Sequence, residues 1–254
     1  MEIKNQVVLV TGASRGLGAE VAKSFGREGA KVVVNYYSSE EKAKQVVEEI
    51  GTHQAIAIKA DVRDKEAVQQ MFIQAKAHFN SPVTTIVNNA LVGFSFNGDE
   101  RKKAAEIGWE DFHTQFEGGV RAALNTLQAG HSDMKEQNFG RIINIGTNLF
   151  QDPVVPYHDY NTGKAALLGF TRNMAKELGP DGIAVNMVSG GLLKKTDASA
   201  ATPDAVFDLI KEGTPLGKVT TPKDVADAIL FFASPWSRAV TGQNLVVDGG
   251  LVMD

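Results

Sequence analysis

The 254-residue chain contains no cysteine. That absence removes disulfides, thiolate nucleophiles and cysteine-ligated metals, and it suits a reducing compartment. Neither charge sign dominates. The formal net charge is −4 and basic and acidic residues are interspersed, so the phosphate-neutralising face that nucleic-acid binding demands is missing. No apolar run approaches the ~20 residues that a membrane-spanning helix needs. The opening Met1-Glu2-Ile3-Lys4-Asn5 shows no basic region followed by a long apolar one, and the expectation is a soluble, cytoplasmic protein without a secretory signal or membrane partner. The five histidines have no metal-ligand spacing, and no metal is expected. Repeats, low-complexity tracts and dividing linkers are also lacking, so residues 1–254 are read as one domain.

What the chain does have is alternation. Short β-branched runs at 6–11, 31–35, 55–60, 84–88, 140–146, 183–188 and 244–247 are separated by helical patterns near 16–28, 39–50, 64–79, 109–135, 160–178, 203–211 and 222–233. Several of the short runs are almost continuously apolar, the pattern of strands covered on both faces. The class is therefore α/β: a Rossmann-type, doubly wound parallel sheet of about seven strands with helices on both faces. Local punctuation agrees. Thr221-Pro222 reads as an N-cap with proline at the first helical position, and Gly29 and Gly179 stand where helices should end.

Chemistry enters at the first strand end, Thr11-Gly12-Ala13-Ser14-Arg15-Gly16-Leu17-Gly18, which runs straight into a helix. Glycines there serve a tight turn, close approach of backbone to a pyrophosphate and close helix–strand packing, and the helix N-terminus offers free N–H groups to phosphate. A second constellation opens the 160–178 pattern, where Tyr160 and Lys164 stand four residues apart on one helix face. A phenol titrates near ~10, and a fixed cation beside it favours ionisation. The pair suits proton donation to a carbonyl oxygen as hydride reaches its carbon, or the reverse.

The spacing Gly-x-x-x-Gly-x-Gly resembles the phosphate loop of the short-chain dehydrogenase/reductase family, and further matches run along nearly the whole chain. Asp61-Val62 resembles that family's adenine contact, Asn88-Asn89-Ala90 its Asn-Asn-Ala-Gly motif, and Thr241-Gly242-Gln243 with Val247-Asp248-Gly249-Gly250 its closing strand and turn. The resemblance implies a third catalytic residue, Thr147, thirteen residues before the tyrosine, where most relatives carry serine. It implies cofactor contacts from Gly12, Ser14, Arg15, Gly16, Leu17, Gly18, Tyr36, Ser38, Asp61, Val62, Asn89, Ala90, Gly191 and Leu193. It also implies a homotetramer built through the helices near 109–135 and 160–178.

Charge then selects the nucleotide. NAD-specific sites usually place a carboxylate after the second strand, but this chain has Asn35-Tyr36-Tyr37-Ser38-Ser39 there, and Arg15 stands in the phosphate loop where it can meet a 2′-phosphate. Ser38 and Ser39 can add hydrogen bonds to that phosphate, cap the helix starting at Glu40, or both. The cofactor expected is NADP(H).

Several positions depart from the family pattern. Phe116 falls where the family's catalytic asparagine holds a water-linked proton relay, and neighbouring Gln115 and Glu117 are the polar residues nearest in sequence to replace it. Leu91 replaces the last glycine of Asn-Asn-Ala-Gly, Gly190-Gly191 replaces Pro-Gly, and Lys195 stands where a threonine usually caps the nicotinamide-side loop, with Thr196 one place late. The segment 92–108, with Phe94 and Phe96, is longer than usual and reads as a wall of the substrate site; His158 reads as a loop residue near it. Residues 192–217 read as a mobile substrate lid.

The resemblance is strongest to 3-oxoacyl-[acyl-carrier-protein] reductases of fatty acid biosynthesis, and it implies NADPH-dependent reduction of a carbonyl with Tyr160 as proton donor. An acyl carrier protein would gain little from Asn138 and Asp181, which stand where those enzymes carry basic residues. A small-molecule or acyl-thioester substrate is expected. The competing readings are a nucleotide-binding regulator that has lost turnover, and an alcohol dehydrogenase using NAD(H).

Overall fold

The computed structural model describes residues 1–194, 196, 199 and 202–253. Among them, seven strands form one sheet in the order β3-β2-β1-β4-β5-β6-β7. They are β1 (Val7–Val10), β2 (Lys31–Tyr36), β3 (Ala55–Lys59), β4 (Thr85–Asn88), β5 (Gly140–Thr147), β6 (Ile183–Gly190) and β7 (Asn244–Val247). Every neighbouring pair is parallel. The helices between them are α1 (Gly16–Arg27), α2 (Glu40–Ile50), α3 (Lys65–Phe79), α4 (Trp109–Phe116), α5 (Ala122–Glu136), α6 (His158–Leu178), α7 (Asp204–Gly213) and α8 (Pro222–Ala233).

The period of two along a strand divides the core. Val8 and Val10 of β1 face one side and pack with Val21 and Phe25 of α1 and with Ile229 and Phe232 of α8. Val7 and Leu9 face the other, with Met71 and Phe72 of α3, Leu127 of α5 and Leu178 of α6. Two-sided burial is why β1 reads as an unbroken apolar run, and β5 is buried along its whole length although Arg141 precedes and Asn144 interrupts its isoleucines. β1 lies between β2 and β4, so the connections leaving its two sides diverge and open a crevice at the carboxyl ends of β1 and β4.

Caps set the helix ends. The Asp64 carboxylate accepts from the Glu66 and Ala67 amides at the start of α3. Thr221 and Asp224 form a reciprocal capping box at α8, with Pro222 at its first position. Gly29 takes the left-handed φ of +83° expected after α1, but Gly179 stays right-handed and the left-handed turn falls at Gly182, φ +75°. A short 3-10 turn, Gly179–Asp181, carries the helix three residues further than expected. Ser39 occupies the N-cap position of α2 but makes no side-chain capping bond.

Two further differences bear on the site. The helical pattern at 109–135 is not one α-helix: a π-helical segment, Glu117–Arg121, joins α4 to α5. In addition, α6 begins at His158, two residues earlier than expected, so His158 is the first residue of a helix rather than a loop residue, and Tyr160 sits in the first turn.

Candidate active site

The phosphate loop is built by exclusion of side chains. Gly12 has φ +62°, and a Cβ there would stand 2.9 Å from the Ala90 Cα. A Cβ on Gly18 would collide with the Gly12 carbonyl and the Asn89 amide. Gly16, φ +56°, opens α1 with its Cβ position facing Thr196 Cβ at 3.8 Å. The loop is anchored from below: the Gly12 amide donates to Asn35 Oδ1 at 3.1 Å, and the amides of Asn89 and Ala90 donate to Thr11 Oγ1 at 2.9 and 3.0 Å. Asn89 Nδ2 returns a bond to the Thr11 carbonyl at 2.9 Å. Gly12, Asn89 and Ala90 are therefore one structure. Ser14 and Leu17 are half-buried along the same loop and Arg15 is exposed at the helix start. Backbone closeness, a positive helix end and an exposed guanidinium fit a dinucleotide pyrophosphate.

At the neighbouring strand ends, Tyr36 is buried while Tyr37 and Ser38 are exposed. Asp61 is held by a fork from Arg63, with Nε and Nη2 donating at 3.0 and 2.7 Å, and this cation keeps its carboxyl below the usual carboxylate range. Val62 is fixed through its carbonyl, which accepts from Asn125 Nδ2 at 3.0 Å. Arg63 was not among the sequence candidates; its spacing of two from Asp61 carried no recognisable signal.

Tyr160, Lys164 and Thr147 come together at the carboxyl end of β5. Tyr160 is 5% exposed and Thr147 4%. Burial pushes the phenol up to about 12, against a hydrogen bond from Thr147 that pulls it down. The Lys164 ammonium donates to the Ile145 carbonyl at 2.6 Å and lies 5.7 Å from the centre of the Tyr160 ring. Its own burial pulls it down to about 8. The lowering of the phenol expected from the neighbouring cation is not found: the opposing influence is the Thr147 hydrogen bond, and desolvation outweighs it.

Phe116 stands apart from this group. Its ring lies 6.1 Å from that of Trp109, and the residue that α4 turns inward is Gln115, buried against Gly163 between Tyr160 and Lys164. The π-helical turn brings Gly118 and Gly119 to the small cavity beside Tyr160 and Lys164, along with Gln115 and Val92. Of the two expected substitutes for the missing asparagine, Gln115 is at the site, while Glu117 pairs with Arg121.

Segment 92–108 does wall the pocket. Phe94 lies on the Tyr160 ring at 4.3 Å between centroids with planes 15° apart, and Phe96 and Tyr157 meet it edge-on. Behind the site runs a buried polar chain that sequence reasoning missed. Thr126 donates to Asn88, Asn88 to Asn144 and Asn144 to Thr171, at 2.8, 2.8 and 2.9 Å, locking α5, β4, β5 and α6 together. Across the crevice Leu193 packs against the core, and a Cβ on Gly191 would stand tightly between Asn148 Nδ2 and Asp248 Cβ, at 3.1 and 3.2 Å. Thr196 is held by Ser199, its amide donating to the serine Oγ at 3.0 Å, whereas Lys195 and Asp197 lie outside the described residues. Among the described residues no cluster of three or more His, Asp or Glu could hold a metal, and no helix is long and apolar enough to cross a membrane.

A nucleotide cradle facing a buried tyrosine–lysine–threonine group at one crevice of a doubly wound sheet is the arrangement of the short-chain dehydrogenases/reductases, and the chain belongs to that family of oxidoreductases, which bind a nicotinamide cofactor. A family model described as Enoyl-(Acyl carrier protein) reductase matches residues 12–252. The chain is 34% identical to the 3-oxoacyl-[acyl-carrier-protein] reductase FabG of Staphylococcus epidermidis, over 98% of this chain and 100% of that protein. It is also 34% identical to the hydroxynaphthalene reductase-like protein Arp2 of Metarhizium robertsii, over 98% and 96%. A dehydrogenase/reductase from Sinorhizobium meliloti superposes with a TM-score of 0.84 at 33% identity, covering 98% and 96%. A Serratia marcescens short-chain dehydrogenase/reductase variant gives 0.85 at 32%, covering 99% of each chain.

Proposed function

We propose that the chain reduces a carbonyl to a hydroxyl with NADPH, with Tyr160 as the proton donor. The observation that carries this reading is the buried phenol of Tyr160, joined by a hydrogen bond to Thr147 and with the Lys164 ammonium 5.7 Å from its ring centre. NADPH, when bound, supplies hydride to the carbonyl carbon. Tyr160 then gives its proton to the carbonyl oxygen, and Thr147 orients that oxygen through its hydroxyl. The phenolate left behind is a buried anion, and Lys164, mostly protonated at pH 7, is the cation that offsets it. Glycines 12, 16 and 18 with the start of α1 would hold the pyrophosphate; Ser14 and Leu17, with Asn89, Ala90, Gly191 and Leu193, would line the path to the nicotinamide. Asp61 and Val62 would meet the adenine.

Preference for NADPH rests on Arg15 together with the neutral end of β2, where Tyr36 and Ser38 present no carboxylate to a 2′-phosphate. The substrate is a small carbonyl compound or an acyl thioester. A docked acyl carrier protein has less support, since Asp181 pairs with Lys135 and His131 at 3.1 and 3.3 Å and offsets the basic groups that stand there. The family resemblance extends to a homotetramer, and α7, with no buried residue, is suited to act as a lid. The competing reading of a chain that only binds nucleotide draws on Phe116, and the buried grouping of Tyr160, Lys164 and Thr147 is what favours turnover over it.

The test is oxidation of NADPH and of NADH with an acetoacetyl thioester and a panel of ketones. Turnover with NADPH is expected, and Arg15→Ala should raise the KM for NADPH by about 10–100-fold, the worth of a charge-assisted bond, while leaving NADH nearly unchanged. Equal use of both nucleotides by the unaltered chain would overturn the cofactor assignment.

A further inference from the structure

The phosphate loop and the Tyr160–Lys164 pair do not require the two phenylalanines of segment 92–108, yet both rings converge on the tyrosine. Phe94 lies flat on Tyr160, 4.3 Å away and 15° from parallel. Phe96 meets Tyr160 edge-on at 5.5 Å and 82°. Tyr157 closes the remaining side, edge-on to Phe94 at 5.1 Å and 82° and to Phe96 at 6.0 Å and 80°. Phe94 therefore fills a slot one aromatic ring thick, with the tyrosine as one face and two perpendicular rings as its walls. The cavity beside it, between Val92, Gln115 and Lys164, has room for about one water. Phe94 covers that face of the phenol ring, so another ring can stack there only when Phe94 withdraws.

What replaces Phe94 is constrained by the shape it leaves. A linear acyl chain or a puckered ring leaves part of the slot unfilled, whereas a flat ring restores the lost contacts with Tyr160, Phe96 and Tyr157 together. An offset stack, the arrangement aromatic pairs favour, slides such a ring toward the hydroxyl end of Tyr160, where Thr147 also stands. The rings that bound the slot, Tyr160, Phe96 and Tyr157, are neutral, and an uncharged group fits between them. We infer that the substrate carries a flat, uncharged aromatic ring next to its carbonyl, that this ring displaces Phe94 from the face of Tyr160, and that Phe96 is a wall that selects it. The inference rests on the reductase reading above and names its substrate class.

The experiment compares two bicyclic ketones of similar size and reactivity, 2-tetralone with its flat aromatic ring and saturated 2-decalone, alongside an acetoacetyl thioester, using the full chain and NADPH. The expected result is a kcat/KM about tenfold or more higher for 2-tetralone than for 2-decalone, the sum of two or three ring contacts. Phe96→Leu should bring the ratio toward one. Phe94→Leu, which removes the ring that competes for the slot, should lower KM for both ketones by several-fold and keep the ratio, with NADPH binding followed by its fluorescence unchanged in both variants. Equal or better use of 2-decalone or the thioester overturns the aromatic preference and leaves the reductase reading standing. If none of the three is reduced, the reductase reading fails for these ketones, and saturation-transfer NMR of the two ketones on the NADPH-loaded protein decides the slot. Selective binding of 2-tetralone, lost in Phe96→Leu, supports it; equal binding overturns it.

Discussion

At Tyr160 and Lys164 burial works on two protons in opposite directions. It raises the phenol to about 12 and lowers the ammonium to about 8, so near neutrality both groups hold their protons while the lysine stands close to losing its own. The unfolded chain, with an ordinary lysine, binds more protons than the folded one between about pH 8 and 10.5. Stability of the cofactor-free protein should therefore rise with pH across that window and be lowest, for this group, below it. Lys164→Met should flatten the rise and stabilise the protein at pH 7 by roughly 1–3 kcal/mol while abolishing turnover, as urea unfolding at pH 7 and pH 10 would show. The tyrosine–lysine spacing was legible because four residues make one helical turn. The sign of the phenol's shift was not, since it depends on Phe94, Phe96 and Tyr157 arriving from elsewhere and excluding water.

Among the elements, strands and helices were legible where burial has a simple period. β2 and β5 carry apolar side chains to both faces, and α1 and α8 carry one stripe each, so their patterns announce themselves. The π-helical turn at Glu117–Arg121 was not, because a period of 3.6 has no term for one extra residue in a turn. The family's spacing of seven from Trp109 put Phe116 at the site, whereas the residues that line the cavity beside Tyr160 are Gln115 of α4 and, from the π-helical turn, Gly118 and Gly119. The polar chain Thr126–Asn88–Asn144–Thr171 was likewise hidden, since each member is an ordinary polar residue until four elements meet. Asn144→Ala would leave Asn88 Nδ2 without its acceptor in the interior. The expected cost is about 1–3 kcal/mol in urea unfolding, with reduced kcat because β4 and β5 position Asn89 and Thr147. A stability within a few tenths of the parent would mean that the chain of bonds carries no such load.

On the scale of the whole molecule, the sheet order brings together residues distant in sequence. Gly12 after β1, Asn89 after β4, Thr147 at the end of β5 and Gly191 after β6 reach one crevice because β1 and β4 are neighbours and all strands point the same way. Alternation and right-handed crossovers implied a doubly wound parallel sheet but not its strand order, and it is the order that gathers the strand-end motifs at one crevice. The packing of the wall on Tyr160 was not legible either, because a loop's path depends on what it packs against. The central claim is that hydride transfer from NADPH is completed by the Tyr160 proton. The most direct measurement is kcat/KM of Tyr160→Phe beside its NADPH dissociation constant, with whichever ketone the parent protein reduces best. The account predicts a fall of about 10²–10⁴-fold in kcat/KM, with NADPH bound as tightly as by the parent. Turnover undiminished by the loss of that one hydroxyl would contradict it.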